Sequence, residues 1–137
     1  MDKPIDKLIL NVDGASRGNP GPASIGVILK DEKHNLVASI SQKIGITTNN
    51  QAEYSALIAG LKEAVKLGAN QVTVNSDSEL MVRQLQGKYR VKSPDLRPLY
   101  EEALKLASSL KIFRIVSIPR EQNREADKLA NAAFDTI

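Results

Sequence analysis

Four acids carry the chemistry open to this chain: Asp13, Glu53, Asp77 and Asp127. Asp13 follows the apolar stretch LILNV and opens the turn-rich GASRGNPGP, and Asp77 follows QVTVNS in the same way. Glu53 falls just after TTNN, and Asp127 shares a helical face with Asn123 and Asn131 at four-residue steps. Taken singly, three of them have a plainer role: Asp13 suits a turn, Glu53 suits the positive end of a helix, and Asp77 suits an N-cap. Asp127, flanked by neutral amides on a face close to the core, is less typical than a charge among lysines. Two strands that each end on an aspartate are the first coincidence. Four carboxylates in one cleft would repel unless cations neutralised them, and an oxygen-rich donor set suits Mg²⁺ or Mn²⁺. Two divalent ions would cancel the four charges, an arrangement suited to in-line attack of water on a phosphodiester. The chain has no cysteine and one histidine, His34, in the polar turn DEKHN, so thiolate and imidazole chemistry have little to work with.

The elements that must position these acids follow from periodicity. Leu8, Leu10 and Val12 alternate with Ile9, Asn11 and Asp13 as a strand does, and the glycines and prolines from Gly14 to Pro22 are expected to end it soon after Asp13. Ala23–Leu29 and Leu36–Ile44 continue an antiparallel meander. Thr47, Thr48 and Asn49 are capping residues before a helix with Tyr54, Leu57, Ile58, Leu61 and Val65 on one stripe, stopped by Gly68 and Asn70. Gln71–Ser76 is a strand, and Ser78 and Glu79 open a helix carrying Leu80, Met81, Val82 and Leu85. A basic loop, Gly87–Arg97, precedes a helix with Leu96, Leu99, Tyr100, Ala103, Ala107 and Leu110 inward. Ile112–Ile118 is apolar on both faces and is expected to be a central strand covered on both sides. A polar loop then leads to a helix with Ala126, Leu129, Ala130 and Ala133 on its apolar stripe. Three antiparallel strands followed by helix, strand, helix, helix, strand, helix predict an α/β fold: a mixed five-stranded sheet, its last two strands parallel, flanked by helices.

At 137 residues the chain fits a single domain over 1–137, and no apolar stretch is long enough to span a bilayer. The charged start MDKPIDK predicts a soluble, non-secreted, cytoplasmic protein without a membrane partner, expected to act as a monomer. The ends, Asp2–Asp6 and Asp135–Ile137, are expected to be loose. Net charge is +3; with four acids committed to cations, nineteen Lys and Arg face twelve remaining acids, an excess of seven that suits a nucleic-acid surface.

Four segments, VDGASRGNPGP, TTNNQAEY, NSDSELMVRQL and NREADKLA, make the chain resemble type 1 ribonuclease H from Leu8 to about Ala133. The resemblance implies the ribonuclease H-like fold and metal-dependent cutting of the RNA strand of an RNA/DNA hybrid, leaving 5′-phosphate and 3′-hydroxyl ends. It assigns Asp13, Glu53, Asp77 and Asp127 to two Mg²⁺ ions, with Mn²⁺ as a substitute. It places contacts to the RNA strand on Ser16, Arg17, Gly18, Asn19, Thr48, Asn49, Asn50, Glu79 and Asn123. The 2′-hydroxyl that marks RNA can be met by asparagine side chains and turn amides.

Three departures from the family pattern stand out. The long basic protrusion of some relatives is cut to Gly87–Arg97, which leaves Lys88, Arg90 and Lys92 to hold substrate. The loop Pro119–Arg124 lacks the histidine that many relatives carry, and Arg120 is the nearest substitute, able to attract phosphate but not to shuttle protons near neutral pH. Glu79 stands where a neutral glutamine is usual. Two rival readings are a nucleic-acid-binding module of this fold with little catalysis and a nuclease of this fold acting on DNA alone. The four intact acids argue against the first, and TTNN and GNPG against the second.

Overall fold

A computed structural model describes residues 5–135. The chain runs β1 (Lys7–Ser16), β2 (Gly21–Lys30), β3 (Leu36–Thr47), α1 (Asn49–Lys66), β4 (Gln71–Ser76), α2 (Glu79–Leu85), α3 (Arg97–Ser108), β5 (Ile112–Ser117) and α4 (Arg124–Ala133), with a 3-10 turn at Arg120–Gln122 before α4. The five strands form one sheet in the order β3-β2-β1-β4-β5. The first three are antiparallel, while β1–β4 and β4–β5 are parallel, as the element order predicts.

β1 lies at the centre because Leu8, Leu10 and Val12 are all fully buried on one face while Ile9 and Asn11 occupy the other. The strand runs on through Gly14 to Ser16, further than its glycine suggests, because β2 pairs with it there and Gly14 opposes Ile25. Neighbouring residues of β2 face opposite ways. Gly26 meets the backbone of α4, where a Cβ would come within 2.1 Å of the Ala126 carbonyl oxygen. Val27 turns to the other face, toward Gly60 of α1. The sheet is therefore sandwiched between α1 and α4.

Hydrogen bonds from Ser24 Oγ to the Ala130 carbonyl (2.5 Å) and from Ser41 Oγ to the Leu129 carbonyl (2.6 Å) fasten α4. The main core joins Leu8, Leu10, Val27, Leu29, Leu57, Leu61, Val72 and Val74, each large side chain stabilising the fold by about 1.5–3 kcal/mol on burial. Val65, placed on the buried stripe by spacing, is 42% exposed at the end of α1.

β5 is an edge strand, not a central one. It pairs with β4 alone, and Ile112 and Val116 are 46% and 43% exposed. A short apolar run has the same appearance at the centre of a sheet and at its margin, because periodicity does not report the number of neighbouring strands. The expectation of loose ends falls largely on residues 1–4 and 136–137, outside the described residues. Asp6 is tied down: its carbonyl accepts from the Asn70 and Gln71 amides at 2.8 and 3.0 Å.

Candidate active site

Register places the first two acids. In the parallel β1–β4 ladder Val12 lies opposite Ser76, so Asp13 and Asp77, which follow them, come side by side. Asp77 is not the cap of α2; Ser78 is, and its hydroxyl accepts from the Met81 amide at 3.3 Å, which leaves the Asp77 carboxylate for the cleft. Glu53 arrives from α1, whose start is set by a capping box: Thr48 Oγ1 accepts from the Gln51 amide at 3.2 Å, and Gln51 Oε1 accepts from the Thr48 amide at 2.9 Å.

The approach of α1 to β1 depends on Gly14. A side chain there would press within 2.2–2.4 Å of the Ala52 and Glu53 backbone; instead the Gly14 amide donates to Glu53 Oε1 at 2.5 Å. Carboxylate oxygens of Asp13, Glu53 and Asp77 consequently lie within 4.8 Å of one another. Asp127, in the first turn of α4, lines the same cleft and exchanges a side-chain hydrogen bond with Asp13.

Burial and mutual repulsion leave their mark on two of these groups. Asp13 is pushed up to about 9, chiefly by burial, then by the charges of Glu53 and Asp77 and by the hydrogen bond and charge of Asp127. Glu53 is pushed up to about 8 by burial, against the Gly14 amide, with Asp77 raising it further and Arg120 pulling it down. A hard divalent cation fits this oxygen-only cluster, because binding exchanges the protons held by repulsion for a positive charge.

The cleft encloses about 470 Å³, with Asp13, Glu53, Asp77 and Asp127 around its floor and Arg120 at its wall. Ser16, Arg17 and Asn49 also line it, carried by the end of β1, the turn after it and the start of α1. Gly18 and Asn19 sit in the exposed turn next to it, where Asn19 Oδ1 accepts from the Asn49 amide at 3.0 Å and ties turn to helix. Asn50 is exposed in the first turn of α1, and Thr48 is spent largely on the cap.

The remaining sequence candidates lie elsewhere. Glu79 is paired with Arg83 at 2.8 Å and shares with Lys88 a separate shallow groove between α2 and β5. Arg90 and Lys92 are exposed along the loop that follows. Asn123 is fully buried. Its amide donates to the Val12 carbonyl at 2.9 Å and to Asp77 Oδ2 at 3.3 Å, and its oxygen accepts from Asn11 at 3.0 Å. These bonds tie the start of α4 to β1 and to Asp77, and leave the Asn123 side chain buried away from the surface of the cleft. Phe134 also lines the cleft, a position the apolar stripe does not mark. It follows Asp127 by seven residues, two helical turns, which is the one signal that could have found it.

The order of the sheet and the acids gathered in one cleft from β1, the end of the neighbouring β4, α1 and α4 define a ribonuclease H-like domain. Residues 11–133 match a family described as reverse transcriptase-like. Bifunctional protein Rv2228c of Mycobacterium tuberculosis is 48% identical over 130 residues, 94% of this chain, and the chain spans only 36% of that relative's length. The crystal structure of RNase H1 from Halobacterium salinarum superposes with a TM-score of 0.92 at 42% identity, covering 94% of this chain and 98% of the other. LC11-RNase H1 in complex with RNA/DNA hybrid is 44% identical with a TM-score of 0.88, covering 93% and 96%. The chain belongs to the ribonuclease H family of enzymes.

Proposed function

We propose that this protein is a metal-dependent endonuclease that hydrolyses the RNA strand of RNA/DNA hybrids, leaving 5′-phosphate and 3′-hydroxyl ends. The observation that carries this reading is the convergence of Asp13, Glu53 and Asp77 within 4.8 Å at the floor of an open cleft. A relative 44% identical was crystallised with such a hybrid, which supports the same substrate here.

The four acids would hold two Mg²⁺ ions, or Mn²⁺ in their place; Asp13 sits among them, with Glu53, Asp77 and Asp127 all acting on its carboxyl. When bound, such ions lower the barrier to in-line attack of water on phosphorus and stabilise the departing 3′-oxygen. The protein does the rest. Asn123 fixes Asp77, the Gly14 amide fixes Glu53, and α4 brings Asp127 against Asp13, so the carboxylates are oriented before substrate arrives. Arg120 offers its positive charge and N–H donors to a phosphate at the cleft, and a guanidinium is not suited to general acid–base work. From the end of β1, the turn after it and the start of α1, Ser16, Arg17, Gly18, Asn19, Asn49 and Asn50 supply the donors and acceptors that a 2′-hydroxyl requires. Lys88, Arg90 and Lys92 lie outside the cleft and serve the hybrid's phosphate backbone beyond the cut.

The test is cleavage of a labelled RNA/DNA hybrid beside matched RNA, DNA and double-stranded RNA, in Mg²⁺, Mn²⁺ or chelator, with Asp77→Asn as control. The expected result is metal-dependent cutting of the hybrid's RNA strand alone. Asp77→Asn is expected to lower the rate by at least ~10²–10³-fold with the fold intact, since it removes charge and no volume. Wild-type turnover in that variant, or cutting of DNA, would sink the reading.

A further inference from the structure

The cleft and a neighbouring shallow apolar pocket of about 340 Å³ share two residues, Arg17 and Phe134. The Arg17 guanidinium lies over the Phe134 ring, 4.0 Å from its centroid. Building on the ribonuclease H reading, we propose that Phe134 is a positioning residue: its ring holds the Arg17 guanidinium at the lip of the cleft, poised for a phosphate of the RNA strand.

The backbone on both sides of Arg17 is already fixed. Its amide donates to the Pro22 carbonyl at 2.8 Å, and its carbonyl packs so tightly on Gly21 that a Cβ there would come within 2.4 Å. What stays variable is the long side chain of an exposed residue, whose rotamer freedom is lost when it grips a phosphate. A ring stacked beneath the guanidinium removes that freedom beforehand. It occupies one flat face and leaves the N–H edges free for a bidentate phosphate contact.

Phe134 can do this because α4 does not move independently of the site. The helix is bonded to β2 through Ser24 and to β3 through Ser41, and its backbone abuts Gly26. Asp127, Asn131 and Phe134 stand at i, i+4 and i+7 along it, and all three line the cleft. One helix face thus delivers a carboxylate to the metal cluster and a platform to the substrate grip, at a fixed separation.

The test is steady-state hybrid cleavage in saturating Mg²⁺ by the wild type, Phe134→Leu, Phe134→Tyr, Arg17→Ala and the Arg17→Ala/Phe134→Leu double variant, with thermal melting of each. Phe134→Leu is expected to raise KM about three- to tenfold, with kcat within about twofold of wild type, because one charge-assisted contact is weakened and no reacting group is touched. Phe134→Tyr keeps the ring face and is expected to retain wild-type KM. In the Arg17→Ala background Phe134→Leu is expected to add nothing to KM. An unchanged KM in Phe134→Leu, or an equal effect with and without Arg17, overturns the proposal even where melting shows a folded protein. Absence of hybrid cleavage by the wild type would instead overturn the ribonuclease reading on which it rests.

Discussion

The two sides of the cleft are built to different standards. The side formed by β1, the GNPG turn and the start of α1 is bonded at every step. Ser16 donates to the Thr47 carbonyl at 2.9 Å, Asn19 holds Asn49, Thr48 and Gln51 close the capping box, and Gly14 holds Glu53. The side that carries Arg120 is a three-residue 3-10 turn with no side-chain cap and no buried residue, held by the chain on either side of it, where the Ile118 amide donates to the Ser76 carbonyl at 2.9 Å and where the buried Asn123 follows. The difference fits the proposed function. Metal-binding carboxylates tolerate little displacement, so they sit on strands and helix starts with polar support. A guanidinium that meets a phosphate acts over a longer range and can ride on a looser turn.

The sharpest way to break this contrast is to loosen the rigid side from behind. Asn123→Ala removes the support of Asp77 and strands the buried Val12 carbonyl. Metal affinity measured by calorimetry is expected to fall about 10–100-fold, and chemical denaturation to show about 1–3 kcal/mol lost stability. Metal-binding support from Asn123 is refuted if affinity is unchanged while stability falls.

The second test is pH. Asp13 is held up to about 9 and Glu53 up to about 8, against ordinary values of 3.8 and 4.5. Between those limits the unfolded chain has released protons that the folded chain keeps, so stability falls as pH rises. Metal-free protein should therefore melt at progressively lower temperature from about pH 4 to pH 9. Added Mg²⁺ should raise the melting temperature more at pH 8 than at pH 6, with protons released on binding. A melting temperature that rises across this range in chelator would contradict the cluster's electrostatics.

On the looser side, Arg120→Ala is expected to lower turnover about tenfold, the equivalent of one charge-assisted hydrogen bond of about 1.5 kcal/mol, with little change in melting temperature. A loss as deep as that of Asp77→Asn would move Arg120 into the same class as the acids. The smallest effect belongs to the scaffold: Thr48→Ala opens the capping box and is expected to cost about 1 kcal/mol of stability with kcat nearly unchanged. A large drop in kcat would mean that Thr48 meets substrate directly.

Much of this arrangement is legible in the sequence. The alternation in LILNV and QVTVNS, each followed by an aspartate, marks two strands, although β1 runs on past Asp13 to Ser16 and only Asp77 stands at a strand tip, and Thr48 with Gln51 marks the start of α1. Asn123 is legible only as a polar residue before a helix. Its burial follows from the way α4 crosses β1, a contact 111 residues apart in the chain between its amide and Val12. Ile112–Ser117 gives the reverse lesson: its apolar run marks a strand correctly and its place in the sheet wrongly, since burial on two faces and exposure at an edge use the same residues.

Among the described residues no helix is long and apolar enough to cross a membrane, in keeping with the short apolar runs. The sequence by itself determined which residue types are available for chemistry, where strands and helices start, and that carboxylates are the ligands on offer to a metal, because these depend on local periodicity, capping and composition. Only the tertiary structure decided that Val12 stands opposite Ser76, that Glu53 reaches the Gly14 amide, and that Phe134 meets Arg17. Those depend on register and on helix packing between distant segments, where a single glycine without a Cβ sets the distance of approach.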